Sequence, residues 1–424
     1  MKLQKILNRI KQLHPKEIDL NLSRILKLSN KLGNPQDELN CISVVGTNGK
    51  YSTIQTIKSI LEESNQNYNS YTSPHMRRIN ERFVYNNKEI TDDDLAELLT
   101  EVEYKNNGDP ITLFEILTAS FFYGAKKYKE NLTIVETGLF HRFDATNILK
   151  QNLLTIVTAI GLDHLDWLPK NDRNINRVIF EKTSSLLNSK IIICNQDKKE
   201  TLNRIKKSIK KNKSEKIIFG EKYKHSIGKN DFFYYEDDKG SLKLPYPNLI
   251  GEFQLSNVSG GICALRNIDF LNIRDNHIKN AVTKIKSVGR LQEIKKGKLK
   301  KLSKKNKIFI DGSHNPLGAK VLSNHLKKLK CNKHMILGMM DNKDHKKYIN
   351  YFKGKINSVI TINIPNQKNY IDRNKLKNKI KNLGILVSSK PSVQEAIKSI
   401  PLKENDTIII TGSLYLAAEM LKQN

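Results

Sequence analysis

The segment Ile42-Ser43-Val44-Val45-Gly46-Thr47-Asn48-Gly49-Lys50-Tyr51-Ser52-Thr53 constrains the fold more than any other part of this chain. A short run rich in β-branched residues enters a glycine turn that carries a lysine. The residues after it, from Ser52 to about Glu63, have a helical pattern. Strand, glycine loop, helix is the order that binds phosphate, because glycines let backbone N–H groups approach phosphate oxygens and the helix offers its N-terminus. Lys50 adds a point charge, and the hydroxyl of Ser52 or Thr53 can ligate magnesium or bond a phosphate. The spacing departs from the standard Walker loop, since position 44 is Val rather than Gly. On these residues alone, an ordinary strand-to-helix turn stays open as the alternative.

The rest of the chain supports an α/β fold. Residues 1–40 read as helices, with Ile18, Leu22, Ile25, Leu26 and Leu32 at helical spacing before Gly33-Asn34-Pro35. Strands are expected at 132–136, 153–160 and 191–194, alternating with helical stretches at 112–128 and 175–188. That alternation argues for a mostly parallel sheet covered by helices. Between 222 and 248, Phe232-Phe233-Tyr234-Tyr235 and the turn at Asp237-Asp238-Lys239-Gly240 suggest a small antiparallel hairpin. A lysine-rich stretch over 289–307 reads as a solvated connector or hairpin. A second α/β pattern follows, with strands at 308–311, 334–337, 358–364 and 407–411. The expected architecture is an N-terminal P-loop ATPase domain over 1–288 and a smaller C-terminal Rossmann-like α/β domain over 289–424. The first holds a mostly parallel sheet plus a small antiparallel one, and the hinge is placed at about 289–307.

Composition excludes several classes. With 38% apolar and 27% charged residues the chain fits a globular protein with a wet surface. No stretch reaches the roughly 20 apolar residues of a membrane span, and the charged N-terminus has no apolar signal core. A cytoplasmic location is expected. Cys41, Cys194, Cys263 and Cys331 form no CxxC pair, so they read as small core residues in a reducing compartment. The net charge of +30 raises nucleic-acid binding as a reading. The lysines are spread along the chain without the interleaved aromatics of a stacking platform, which argues against it. A basic surface also attracts nucleotides and polyanionic substrates.

Further motifs follow the glycine loop in order: Tyr71-Thr72-Ser73-Pro74-His75, Asn80-Glu81-Arg82, Thr112-Leu113-Phe114-Glu115 and Glu136-Thr137-Gly138-Leu139 with Arg142 and Asp144-Ala145-Thr146-Asn147. Then come Ile160-Gly161-Leu162-Asp163-His164, Glu181-Lys182, and Gly251 with Gln254 and Asn257. Gly289-Arg290-Leu291-Gln292, Asp311-Gly312-Ser313-His314-Asn315-Pro316 and Thr411-Gly412-Ser413-Leu414-Tyr415 complete the series. The series resembles the folylpolyglutamate synthases and dihydrofolate synthases, relatives of the Mur peptide ligases, whose motifs run GTNGKGS, TSPH, TxFE, EvGLGGRlDATN, IglDH, EK, GxxQxxN, GRxQ, DxAHNP and TGSLY. The chain departs from that pattern at Tyr51, where the family has Gly, and at Phe140-His141, which stand for the two glycines of GLGGR. The spacing from His164 to Lys182 is also longer than in the commoner pattern.

The resemblance implies roles. Gly46, Thr47, Asn48, Gly49, Lys50, Ser52 and Thr53 would hold ATP phosphates, with Asn257, Arg290 and Asp311 also on ATP. Ser73, Glu136 and His164 would ligate two Mg2+ ions. Lys182 would be carbamylated, and His314 would line the cleft between domains, making these two and Lys50 the catalytic set. Phe114, Glu115, Arg142, Asp144 and Asn147 would bind substrate. Elementary chemistry agrees in part: magnesium wants oxygen ligands, so Ser73 and Glu136 suit it and His164 is a less usual partner. Carbamylation turns a cation into a carboxylate and needs a neutral, depressed-pKa amine.

The implied activity is ATP-dependent ligation of L-glutamate to folate, and also to dihydropteroate, through an acyl phosphate. ATP, Mg2+, the carbamylated lysine and, as an optional addition, a monovalent cation are the cofactors. Small molecules are the only partners expected, with no nucleic acid and no membrane, and the chain is expected to be a monomer. The rival readings are a Mur-type peptide ligase on another carboxylate, a non-catalytic homologue, and a P-loop ATPase acting on nucleic acid.

Overall fold

Parallel strands flanked by buried helices make up the core of the computed structural model, which describes residues 2–16, 18–228 and 231–424. The chain divides into two compact units. One comprises Met1–Ile160, Asn171–Asn248 and Gln254–Lys286; the other comprises Gly161–Lys170, Leu249–Phe253 and Ser287–Asn424.

The first unit holds an eight-stranded sheet in the order β4-β3-β2-β5-β1-β6-β7-β8. Its strands are β1 (Asn40–Val45), β2 (Tyr68–Tyr71), β3 (Phe83–Tyr85), β4 (Lys88–Glu89), β5 (Leu132–Glu136), β6 (Leu154–Val157), β7 (Lys190–Ile193) and β8 (Lys216–Ile218). β1, β5, β6 and β7 are almost wholly buried, as expected of parallel strands covered on both faces. β1 pairs in parallel with β5 on one side and β6 on the other, setting Val44 beside Glu136 and Val45 beside Val157. The carboxyl ends of three adjacent strands thus deliver the glycine loop, the Glu136 loop and the Thr158 turn to one edge, where open α/β sheets bind ligands. A three-stranded antiparallel sheet, β9 (Tyr223–Ile227), β10 (Phe232–Asp237) and β11 (Gly240–Pro245), completes the unit.

Against this sheet packs helix Leu113–Ala125, most of whose residues are buried among Tyr71, Phe83 and Val135. It starts at a capping box: Thr112 Oγ1 accepts from the Glu115 N–H, and the Glu115 carboxylate accepts from the Thr112 N–H at 2.8 Å. Thr112→Ala is expected to cost about 1 kcal/mol, read as a lower denaturant midpoint with unchanged slope.

The second unit is a six-stranded sheet in the order β12-β13-β17-β14-β15-β16. The strands are β12 (Gln292–Glu293), β13 (Lys307–Ile310), β14 (Lys333–Leu337), β15 (Ser358–Thr361), β16 (Leu386–Ser389) and β17 (Thr407–Thr411), all parallel except β12. Residues 289–307 are not a solvated connector; in keeping with the hairpin alternative, β12 pairs antiparallel with β13. They fold into this unit as β12 and helix Lys298–Ser303, because Leu291, Ile294 and Leu299 are buried while Lys295, Lys296, Lys298, Lys301, Lys304, Lys305 and Lys307 stay exposed. Among the described residues, no helix is long and apolar enough to cross a membrane.

Candidate active site

The glycine loop is braced from beneath. The N–H groups of Thr47 and Asn48 both donate to the Ala159 carbonyl, at 2.9 and 3.1 Å. Gly46 has φ +155°, and a Cβ there would lie 1.9 Å from Thr158 Oγ1. Gly49 has φ +95°, and a Cβ there would lie 2.3 Å from Asn257 Oδ1. Asn257 is held over the loop by its amide, which donates to Gln254 Oε1 at 2.8 Å. Both glycines are therefore required by conformation and by space. Helix Lys50–Glu63 begins directly after them, with Ser52 and Thr53 buried in its first turn. Tyr51 sits inside this helix with no positive φ, so it replaces a glycine without backbone strain.

Three expected side chains and the Ser73 backbone converge on this loop. Lys50 Nζ donates to the Gly46 carbonyl at 3.3 Å and lies 3.8 Å from Glu136 Oε1. Glu136, buried at the end of β5, accepts from the Ser73 N–H at 3.2 Å. Lys182 Nζ reaches the same Gly46 carbonyl from the other side, at 2.8 Å, and is 3% exposed. It comes from helix Ile175–Thr183, whose Glu181 carbonyl accepts from the Arg142 N–H at 2.9 Å, so residues 140–142 run beside it.

The loop from 138 to 147 is held by its own polar groups. Asp144 accepts from the N–H groups of Gly138, Leu139 and Thr146 and from the Thr146 hydroxyl. Arg142 makes a two-point ion pair with Glu181, at 2.9 and 2.8 Å, and Asn147 donates to the Arg142 carbonyl and to Ser185 Oγ. Glu115 pairs with Arg24 at 3.0 Å as well as capping its helix. Each of these expected substrate-binding groups thus has internal partners, while Phe114 lies against Gly138. A shallow cleft opens beside them, with Ile18, Asn21, Phe114, Leu139 and Phe143 among its lining.

Phe140 takes φ +57° with its ring buried. A non-glycine residue there carries about 1–3 kcal/mol of strain, which the glycine of related loops avoids. His141 is 4% exposed, and its Nδ1 is buried with no hydrogen-bond partner. Burial, with the Lys182 charge as the lesser cause, pushes its imidazole pKa down to about 3 and keeps the ring neutral.

The remaining expected residues gather in the second unit. The Leu291 N–H donates to Asp311 Oδ2 at 2.8 Å, and the Gly312 N–H to the Gly289 carbonyl at 2.8 Å, so the Arg290 and Asp311 motifs meet. Asp163, beside His164, is the centre of this unit's polar cluster. Its carboxylate faces His314 Nε2 at 3.2 Å and accepts from Asn315 Nδ2 at 2.9 Å, Lys343 Nζ at 2.6 Å and the His164 N–H at 2.9 Å. Burial pushes its pKa up, but the charges of His164, His314 and Lys343 outweigh this and hold it well below the usual carboxylate range. Nothing in the residue pattern singled out Lys343.

Both units match known protein families. Residues 44–265, more than half of the chain, match the Mur ligase middle domain, and residues 289–414 match the glutamate ligase domain of Mur ligases. The chain belongs to the Mur ligase family. Among its relatives is the dihydrofolate synthase/folylpolyglutamate synthase of Bacillus subtilis, 27% identical over 95% of this chain and 94% of that protein. The Escherichia coli protein of the same name is 29% identical over 80% of this chain and 76% of its own. A solved structure of E. coli FolC in complex with DHPP and ADP superposes with a TM-score of 0.85 at 25% identity, covering 99% of this chain and 97% of that one.

In this Mur ligase the donors at the loop suit magnesium. Among the described residues, no three His, Cys, Asp or Glu side chains are grouped so that they could hold a metal ion by themselves. Magnesium instead uses one or two carboxylates and leaves its other positions to waters and substrate phosphates. Glu136, a single buried carboxylate beside Ser73 and the glycine loop, has that chemistry.

Proposed function

We propose that this Mur ligase joins L-glutamate to a folate, and also to dihydropteroate, with ATP as the energy source. The observation that carries the reading is the convergence of Lys50, Glu136, Ser73 and Lys182 on one braced glycine loop. Relatives spanning nearly the full chain and named for these two activities support it. So does an ADP complex of a structural neighbour.

A carboxylate does not react with an amine at neutral pH, because its leaving group is poor and its charge repels attack. Transfer of the γ-phosphoryl group of ATP to the substrate carboxylate gives an acyl phosphate and ADP. The amine of glutamate then attacks the acyl carbon, the amide C–N bond forms, and phosphate leaves. The loop from Gly46 to Ser52 would hold the phosphate chain, and Lys50 would offset charge on the phosphoryl oxygens. Ser73, Glu136 and His164 would hold Mg2+, which supplies further charge neutralisation when bound. Asn257, Arg290 and Asp311 would position ATP, Asp163 orienting His314 in the same unit as the last two. Phe114 and the 138–147 loop would shape the substrate's cleft, with Glu115, Arg142, Asp144 and Asn147 fixing that shape.

A coupled ADP-release assay with Mg-ATP and glutamate tests the reading, with tetrahydrofolate or dihydropteroate added separately. Turnover with both establishes two activities. Turnover with neither, in folded protein that binds ATP, refutes the proposal. Within the same assay, Glu136→Gln should raise the magnesium concentration needed for half-maximal rate by about tenfold or more. An unchanged magnesium titration would remove Glu136 from the metal site.

A further inference from the structure

Phe140-His141 stand where the resembled motif has two glycines, and the structure places Phe140 beside Lys182. The Phe140 ring lies 5.6 Å from Lys182 Nζ, and the Lys182 charge acts on the His141 ring. Phe140 holds a left-handed backbone that disfavours its side chain. Strain of this kind persists where the surroundings over-determine it, and it clusters at functional sites. Beside it, His141 Nδ1 is buried and has no partner. A buried imidazole N–H or lone pair without a partner is costly, so a group that answers it is expected.

A carbamate on Lys182, which the family resemblance implies, would supply that answer. Carbon dioxide adds to the neutral amine: one C–N bond forms, and the two protons lost from the original ammonium go to solvent buffer. The product keeps one N–H, and the Gly46 carbonyl already stands 2.8 Å from Nζ to receive it. It gains two carboxylate oxygens, which need donors in a site where Lys182 is 3% exposed. We propose that His141 is the donor that holds this carbamate in the present chain, its Nδ1–H serving a carbamate oxygen, with Phe140 as the wall that excludes water. His141 is thus a positioning residue specific to this version of the loop.

The proposal concerns the site of the ligase reading but is tested without turnover. Protein equilibrated with 13C-bicarbonate is expected to show a carbamate carbon resonance by NMR that disappears in Lys182→Ala. Its half-saturation is expected to need roughly 10-fold more bicarbonate in His141→Ala, as loss of one hydrogen bond to a charged group implies. His141→Gln, which keeps a donor, should recover part of the difference. Circular dichroism confirms that each variant is folded, and Phe140→Gly, which relieves the backbone, gives a second route if His141→Ala is not. Phe140→Gly should likewise raise the bicarbonate requirement, by admitting water. Identical titrations in wild type and the folded variants would overturn the role of His141. So would the absence of any carbamate signal in folded wild type at saturating bicarbonate. A failure of the ligase reading shows separately, as absent ADP release.

Discussion

Lys50→Ala is expected to lower the rate of ATP-dependent ligation by about 10²- to 10³-fold, the loss typical of removing one preorganised charge partner from a transition state. Lys50 opens its helix directly after Gly49, so backbone geometry fixes where its stem begins. Its ammonium stands between the Gly46 carbonyl and Glu136, 14% exposed, which keeps it near the loop and partly out of water. A charge held there acts on phosphoryl oxygens more strongly than a charge in solvent. The substitution also leaves the Glu136 carboxylate with less compensation. Fold stability should change little, since the helix keeps its start and its buried face. The decisive measurement is kcat at saturating Mg-ATP, beside an unfolding curve; a variant within threefold of wild type would mean the loop does not work on phosphate as proposed.

Asp163→Ala should have the largest effect on stability, about 3–5 kcal/mol, because it strips one carboxylate from several cationic partners at once. Lys343, 11% exposed, would lose the carboxylate 2.6 Å from its ammonium, and His314, 19% exposed, would lose the one 3.2 Å from its Nε2. The loss should concentrate in the second unit, as faster amide exchange at the start of helix Pro316–Lys327, which Asn315 caps at 2.9 Å. The pH dependence has a defined sign. Asp163 is held below its ordinary pKa, so its stabilisation is present above the unfolded-state value near 4 and is lost as pH falls through the folded value. Wild type and Asp163→Ala should therefore differ most near neutrality and converge in strong acid. A constant gap across pH would show that packing, not charge, sets the effect.

Much of this was legible in the residues. β5 and β17 follow from short runs of apolar and β-branched residues, and the glycine loop follows from the order strand, glycine turn with lysine, helix. β2 was not legible, because Asn69 and Ser70 look like solvent-facing residues. Both are buried, and Asn69 earns its place by donating to the Tyr128 carbonyl and to Thr133 Oγ1, partners more than 55 residues away. The lysine-rich stretch over 289–307 misled for the opposite reason: its charges are obvious, and its three spaced apolar anchors are not. Motif order pointed to Lys50 and Glu136, which meet beside the glycine loop, and to Asp311, which meets the Arg290 motif. Lys343 has no local signature, since its meaning lies in a carboxylate 180 residues earlier in the chain.

That separation has a consequence for synthesis. The segment Gly161–Lys170 emerges from β6 of the first unit yet belongs to the second. At about 5–20 residues per second, a ribosome needs on the order of 10–40 s to travel from Asp163 to Lys343. During that interval the first unit can close around its sheet while this ten-residue segment, with its carboxylate, has no cations to receive it. The early segment thus waits for the later residues of the unit to which it belongs. A nascent chain arrested before residue 343 should be cut by protease within 161–170, and one released at full length should resist. The order in which the two units assemble is written into one early loop.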